Sequence, residues 1–403
     1  MPNPQRIALV SAFPPGRQSL NEYGLHLARE LAAFPDVEEI VVIAEKLAIS
    51  EPELDLGPKI RVCRVWSFNR LSAGPAILRA LYREEVDGVL WNLQMASFGN
   101  RELPAALALL TPALARLAGW RSGVIAHNLV SGIDLDNTQL KGRPIRQAIV
   151  RSAGAVVTRA LLSADYMTVT LTSYAEMLHD RYPRVEVHHI PHGTFDTAAR
   201  TLPKLSERPK RIVTMGKFGT YKRLETLLAA FDLMRAMPEF ADYQLVIGGM
   251  DHPAAPGYLD RVARMREGDE GVVFHGYVAE EDVPDFFSQA RLSVFDYNAT
   301  TGSSGVLHQA VSYETVPIFP NIGDFVDVCE HEGLRGMNYT PGKPVELAWV
   351  MRKALGDLVA AQRLVEKNRV ASQDIPLSQI ARFHVAMLRM SRRQRPELSQ
   401  ISA

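Results

Sequence analysis

The stretch Arg211 to Phe231, RIVTMGKFGTYKRLETLLAAF, decides how this chain is read. Ile212 to Met215 is an apolar run that predicts a strand, and Gly216 marks its expected end. Lys217 follows at once, and Lys222 stands just before Leu224, Leu227, Leu228 and Phe231, which recur at helical spacing. Two lysines are thus expected beside a glycine turn, where a strand hands over to a helix. A helix N-terminus offers unpaired N–H groups and a partial positive charge, which suits a phosphate, and two added cations suit a diphosphate. Read alone, the same residues are equally two solvated lysines near a surface turn.

Working outward, apolar runs alternate with helical patterns along the whole chain. Strands are predicted at Arg6–Ser11, Glu39–Ala44, Ile60–Val65, Gly88–Asn92, Gly123–His127, Met167–Thr172 and Glu186–Ile190. Helical patterns lie between them at Leu20–Ala33, Pro75–Glu84, Leu103–Leu117, Ile145–Ser163 and Tyr174–Arg181. The second half repeats the scheme, with strands at Arg211–Met215, Gln244–Ile247, Val272–His275, Leu292–Phe295 and Pro317–Phe319. Its helices are expected at Arg223–Met234, Tyr258–Arg266, Val283–Gln289, Gly305–Tyr313 and Val345–Leu355. Continuous apolar strands, each followed by a helix, indicate parallel sheets covered on both faces. The expected class is α/β, with two doubly wound Rossmann-like domains facing across a cleft. Residues 1–196 form the first domain, 197–210 a polar linker and 211–375 the second domain. Residues 376–403 add a helix returning toward the first domain, and a tail. Neither first strand is followed by GxGxxG, which disfavours a nicotinamide or flavin enzyme.

A chain of 403 residues with 47% hydrophobic and 22% charged residues is globular rather than disordered. Lys plus Arg and Asp plus Glu each number 45, so no global field draws it to nucleic acid. Cys63 and Cys329 are far apart and read as packing residues. The N-terminus lacks a signal-peptide core and no apolar run reaches spanning length. The expectation is a cytoplasmic protein, with the inner membrane face as a place of peripheral work.

Four further loops fall at the carboxyl ends of predicted strands, where open α/β sheets bind ligands. Phe13-Pro14-Pro15-Gly16-Arg17-Gln18-Ser19 follows the first strand, and Gly16 and Ser19 are expected to wall a phosphate. His127, with Asn128, ends the strand at Gly123–Ala126 and is the candidate catalytic group, although a lone histidine is more often structural. Pro191-His192-Gly193 forms a turn near the domain boundary. Ser303-Ser304-Gly305 stands directly before a helix, as simple capping or as a second anion seat.

These loops, in this order, resemble the retaining GT-B glycosyltransferases, specifically family 4, over nearly the whole chain. Phe13-Pro14-Pro15 and Tyr23 match the family's first loop, His127 its acceptor-domain histidine, and Pro191-His192-Gly193 its hinge turn. Gly216-Lys217 and Lys222 match its Gly-Arg-x-x-x-x-Lys diphosphate clamp, with Lys in place of Arg. Gly248 and Gly249, Phe274-His275-Gly276-Tyr277-Val278, Gly323-Asp324 and Gly333 with Gly336 match later loops. The resemblance implies sugar transfer from a nucleotide-sugar donor, with retention, to a glycan or lipid-linked acceptor in polysaccharide or glycoconjugate synthesis. It implies Lys217, Lys222 and His127 as catalytic groups. Gly16, Ser19, His192, Gly193, Gly216, Gly249, Tyr277, Val278, Ser304, Gly305, Val306 and Gln309 become donor-binding residues. With two cations and helix ends to stabilise the leaving diphosphate, no metal and no other cofactor is expected.

The chain departs from the family pattern at its paired glutamates, where counting back from Pro317 puts Gly302 and Ala310, within one residue. Ser304-Gly305-Val306-Leu307 and Ala310 instead fit a branch reading Ser-Gly-Val-Leu-x-x-Ala, and Gln309 is the expected substitute at the ribose. Gln18-Ser19 replaces the Gly-Gly pair of the first loop. Two other readings stand beside transfer: a GT-B epimerase acting on UDP-GlcNAc, and an inactive homologue that only binds sugar nucleotides. Lys141, Arg143, Arg146, Arg151 and Arg159 make one helix basic, either a solvated face or an approach to anionic lipid.

Overall fold

The strands β1 (Gln5–Val10), β2 (Val37–Glu45), β3 (Ile60–Trp66), β4 (Gly88–Leu93), β5 (Arg121–Ala126), β6 (Tyr166–Val169) and β7 (Val187–His189) form one parallel sheet. Their spatial order is β3-β2-β1-β4-β5-β6-β7. They belong to a computed structural model that describes residues 5–47, 51–129, 142–195, 201–299 and 302–390. Central strands are buried on both faces: Ile7, Ala8, Leu9 and Val10 of β1, and Val89, Leu90 and Trp91 of β4, are fully buried. This is why these strands read as continuous apolar runs rather than alternating ones. The connecting helices are α1 (Asn21–Ala32), α2 (Ala73–Arg83), α3 (Glu102–Ala108), α4 (Thr111–Leu117), α5 (Pro144–Leu162) and α6 (Thr172–Arg181). The C-terminal helix, Leu377–Arg389, packs on α1, β4 and β5 and so belongs to this first unit. The Arg121 guanidinium donates to the Met387 carbonyl at 3.2 Å, and the Tyr166 hydroxyl meets His384 Nδ1 at 3.1 Å.

The second unit spans His192–Pro376. Its strands are β8 (Arg211–Phe218), β9 (Gln244–Asp251), β10 (Val272–Gly276), β11 (Leu292–Val294), β12 (Val316–Pro320) and β13 (Met337–Tyr339). They are parallel, in the order β10-β9-β8-β11-β12-β13. The helices are α7 (Glu225–Arg235), α8 (Tyr258–Met265), α9 (Val283–Ser288), α10 (Gly305–Ser312), α11 (Gly323–Glu332), α12 (Pro344–Gly356) and α13 (Leu358–Gln373). Ile212, Leu227, Phe231, Leu245, Leu292, Ile318 and Met351 join in its core. Residues 201–210 are packed into this unit. Leu205 is buried, and the Arg208 guanidinium donates to the carbonyls of Ala290 and Glu314, each at 2.9 Å.

Several boundaries differ from expectation. The helix expected over Leu103–Leu117 is two helices, because Pro112 starts a new one and cannot continue an old one. β8 does not stop at Met215. β13, α11 and α13 were not anticipated. Chain order reverses between β1 and β4 in the first sheet and between β8 and β11 in the second, which places a ligand crevice at the carboxyl ends of those strand pairs.

Candidate functional site

In the second unit, Gly216 and Lys217 do not lie in a turn. β8 runs through them to Phe218, with Gly216 paired to Gly249 and Lys217 to Met250. Gly249 adopts φ +133°, and a side chain there would press on the Gly216 carbonyl, so glycine lets the two strands continue side by side. The turn comes later, where the Gly219 N–H donates to the Lys222 carbonyl at 2.9 Å. Lys222 forms an antiparallel bridge with Tyr297, beyond β11. Its ammonium lies 4.7 Å from the Tyr297 ring centroid and 5.9 Å from that of Tyr221. Burial works against that charge, yet the two phenols hold the pKa above the ordinary lysine value. His252, just past β9, is pushed the other way by burial and then by Lys217 and Lys222, so the neutral ring feels the positive charge of the two lysines.

The start of α7 corrects the expected anion seat. The N–H groups of Thr226 and Leu227 donate to Oδ2 of Asp296 at 2.9 and 3.0 Å, and the Leu224 N–H donates to the Tyr258 hydroxyl at 2.9 Å. The buried Asp296 carboxylate already complements that helix end. The start of α10 is different. Ser304 is its N-cap, with Oγ accepting from the Leu307 N–H at 3.4 Å. Gly305 and Val306 fill the first turn, where N–H groups have no intrahelical partner. The preceding Gly302 N–H is held by Asp324 Oδ2 at 2.8 Å.

His192 and Gly193 come to α10 as well. The His192 ring stacks on His308 with centroids 4.7 Å apart, and a side chain on Gly305 would meet His192 Nε2 at 3.1 Å. Gly193, Gly305, His308 and Gln309 line one small cavity beneath the helix, and Gln309 is buried. Two groups of expected residues therefore assemble within this unit. Gly216, Lys217, Lys222 and Gly249 gather at the edge of β8 and β9, while His192, Gly193, Ser304, Gly305, Val306 and Gln309 gather around α10. Lys222 and the chain leading to α10 are joined by the Tyr297 bridge. Val278 packs against Gly248 and Phe286 as a core residue, and Tyr277 beside it is 39% exposed.

In the first unit, Gly16 and Ser19 lie in the loop after β1 and His127 at the end of β5. A side chain on Gly16 would collide with Glu45, a buried carboxyl at the end of β2 that accepts the Phe13 N–H at 3.1 Å. His127 is buried. Its Nε2 stands 2.7 Å from Asn92 Oδ1, and Tyr23 meets the ring edge-on at 4.6 Å. The Asn92 amide donates to Ser11 Oγ at 2.9 Å, so Asn92 presents only its oxygen and Nε2 carries the proton. Burial pushes the His127 pKa down to about 3, so the ring is neutral. Of the basic helix, α5, Arg151 and Arg159 are exposed and interleave with exposed Ile145, Ile149 and Val156, while exposed Arg143 precedes the helix. Lys141 and the Arg146 side chain lie outside the described residues.

Sequence reasoning missed Asn92, His252, Asp296, His308 and Glu332. Each works through a partner distant in sequence, such as Asn92 for His127 and Glu332 for His308, so no local pattern announces it. Among the described residues, no cluster of His, Cys, Asp and Glu has a metal-binding arrangement, and no helix is long and apolar enough to cross a membrane.

Residues 197–370 match the family model of glycosyl transferases group 1. The whole fold is similar to sucrose-phosphate synthase from Thermosynechococcus elongatus, at TM-score 0.71 and 18% identity over 96% of this chain and 98% of that one. It is also similar to Anabaena HepE in complex with UDP and glucose, at TM-score 0.67 and 15% identity over 96% and 99% of the two chains. WaaG, a glycosyltransferase involved in lipopolysaccharide biosynthesis, aligns at TM-score 0.67 and 14% identity over 96% and 100%. No curated protein matches the sequence. The chain thus carries a glycosyl transferases group 1 domain on the two-unit, Rossmann-like fold of the GT-B glycosyltransferases.

Proposed function

We propose that this protein is a retaining glycosyltransferase of the family 4 type. It moves a sugar from a nucleotide-sugar donor to a glycan or lipid-linked acceptor, in polysaccharide or glycoconjugate synthesis. One observation carries this reading. At the β8–β11 switch point of the group 1 domain, Lys217 lies at the end of β8 and Lys222 bridges Tyr297 on the chain that leads to a helix start, Ser304-Gly305-Val306, whose first-turn N–H groups suit a phosphate. As the glycosidic bond to the diphosphate breaks, negative charge grows on the leaving oxygens. Two ammonium groups and the α10 N–H groups would stabilise it without reorganising, as preorganised dipoles do. In this reading the diphosphate needs no metal or other cofactor, and His127, held neutral by burial, serves the acceptor or donor sugar. Gln309 takes the ribose, and Gly16 and Ser19 are donor-binding residues of the first unit.

HepE complexed with UDP and glucose makes UDP-sugars the first donors to test. Exposed Arg151 and Arg159, on the same helix as exposed Ile145, Ile149 and Val156, support a cytoplasmic protein touching an anionic membrane face, where a lipid-linked acceptor would be met. The test is a screen of UDP-, GDP- and ADP-sugars by thermal shift, followed by donor turnover and product NMR. Stabilisation by one nucleotide sugar and release of its sugar with the anomeric configuration kept is expected. An inverted product, an epimerised donor, or no stabilisation by any donor would overturn the proposal.

A further inference from the structure

A buried charge pair underlies the helix start that is proposed to seat the donor. His308, on the second turn of α10, and Glu332, the last residue of α11, each expose 2% of the side chain. Nε2 of His308 stands 2.6 Å from Glu332 Oε2, and Nδ1 stands 2.9 Å from the Ser304 carbonyl. A carbonyl can only accept, so Nδ1 must carry a proton. The second proton lies between Nε2 and the carboxylate. Burial opposes charge on His308, but Glu332 and the Ser304 carbonyl outweigh it and raise the pKa, which favours the imidazolium. The facing titratable groups are Glu332 on α11, which also acts on Cys329, and His192 on the loop after β7.

The carbonyl that His308 grips is that of the N-cap residue. Ser304 O also receives the Leu307 N–H at 2.9 Å and the His308 N–H at 3.3 Å, so a side-chain cation tightens the first turn on which Gly305 and Val306 sit. On its other face His308 carries the stacked ring of His192, which in turn abuts Gly305. His192 Nδ1 lies 3.0 Å from the Gly193 carbonyl, which fixes that ring in its own loop. One imidazolium therefore ties together the N-cap, the glycine of the first turn and the His192-Gly193 loop.

We propose that His308 is a positioning residue for the nucleoside diphosphate: held by Glu332, it fixes the Ser304 carbonyl and the His192 ring, and thereby the direction of the Gly305 and Val306 N–H groups. This rests on the reading that a donor diphosphate sits at α10. His308 touches no ligand itself, because it is buried behind the turn. Its worth lies in holding donors that are useful only at hydrogen-bond distance and angle.

Removing His308 alone would strand a buried carboxylate whose Oε1 has no partner among the described residues, which confounds a binding defect with a folding defect. The test therefore uses the double substitution His308→Leu/Glu332→Leu, since exchanging both members of a buried ion pair for apolar residues is commonly neutral for stability. UDP is the probe, titrated by calorimetry into the full-length protein and the variants. We expect the double variant to unfold at nearly the parent temperature and to bind UDP about tenfold more weakly, a change equal to about 1.4 kcal/mol. Glu332→Gln keeps a hydrogen-bonded partner and the Ser304 contact, so it should bind UDP within about threefold of the parent, well below that tenfold loss. Histidine ¹⁵N spectra of the parent should show two protonated nitrogens on His308 at neutral pH, a signal lost in the double variant. A folded double variant with parental UDP affinity, or a singly protonated His308, would overturn the proposal while leaving the donor site standing. A parent that binds no nucleoside diphosphate would instead remove the reading on which it rests.

Discussion

Gly249→Ala is the substitution that best separates the architecture of the site from its general stability. Gly249 has φ +133°, a conformation that side chains rarely adopt, and strain of this kind costs on the order of 1–3 kcal/mol. An added Cβ would lie 3.0 Å from the Gly216 carbonyl carbon and closer still to its oxygen. Carbon atoms rest at about 3.5–4.0 Å, so β8 and β9 must separate by roughly 1 Å at this point. The residue after Gly216 is Lys217, paired to Met250, so the displacement is passed to a proposed catalytic cation. A misplacement of about 1 Å can cost on the order of 10²-fold in rate. Gly268→Ala is the control. It has φ +84°, with open space where the Cβ would go, so it carries similar strain without touching β8. Both variants should lose stability by thermal or denaturant unfolding, Gly268→Ala on the order of 1–3 kcal/mol from strain and Gly249→Ala more, because the clash with β8 adds to its strain. Only Gly249→Ala should lose donor turnover and UDP affinity. Equal turnover in the two variants would refute the claim that the Gly216–Gly249 approach places Lys217.

Three further outcomes are expected. Lys217→Ala and Lys222→Ala should each lower transfer on the order of 10²-fold, as for loss of one preorganised charge stabiliser, with near-normal turnover in both removing the clamp. Chelation should leave the rate unchanged, whereas complete loss restored by magnesium or manganese would contradict metal-independent transfer. His127 is neutral when folded, with a pKa of about 3 against an ordinary 6.5, so below pH 6.5 the unfolded chain binds the extra proton. Its contribution to stability is thus complete above pH 6.5 and fades as pH falls toward 3, with a slope of up to about 1.4 kcal/mol per pH unit. His127→Gln should flatten that acid limb and lose most transfer; an unchanged acid limb would show that the ring is not held neutral by burial.

The parallel sheets and the two-unit plan were readable because strands such as Ile7–Val10 and Val89–Trp91 are buried on both faces and must be apolar throughout. The β8 extension was not readable. Gly216 looks like a turn residue on its own, and its use as a close-approach residue depends on Gly249, which is distant in sequence but adjacent in the sheet. β13 is three residues at a sheet edge, Met337–Tyr339, too short for a period to show. The lysines and Ser304-Gly305 were legible because local chemistry announces them. Asp296 was not, although its effect is large: by capping α7 it leaves the proposed anion seat to α10. A carboxylate shortly after an apolar strand has no distinctive pattern until the fold brings a helix start to it. The His308–Glu332 pair escaped for the same reason, being joined only by the packing of α11 beside α10.

The central claim is that the second unit grips a nucleoside diphosphate between Lys217, Lys222 and the start of α10. Calorimetric titration of UDP, GDP and ADP into the parent, the Lys217→Ala/Lys222→Ala double variant and Gly305→Val tests it most directly. The account predicts that one nucleotide binds the parent at a single site. It also predicts that affinity falls at least about tenfold in each variant, the equivalent of about 1.4 kcal/mol or more. Parental affinity in both folded variants, or no binding of any of the three to the parent, would contradict it.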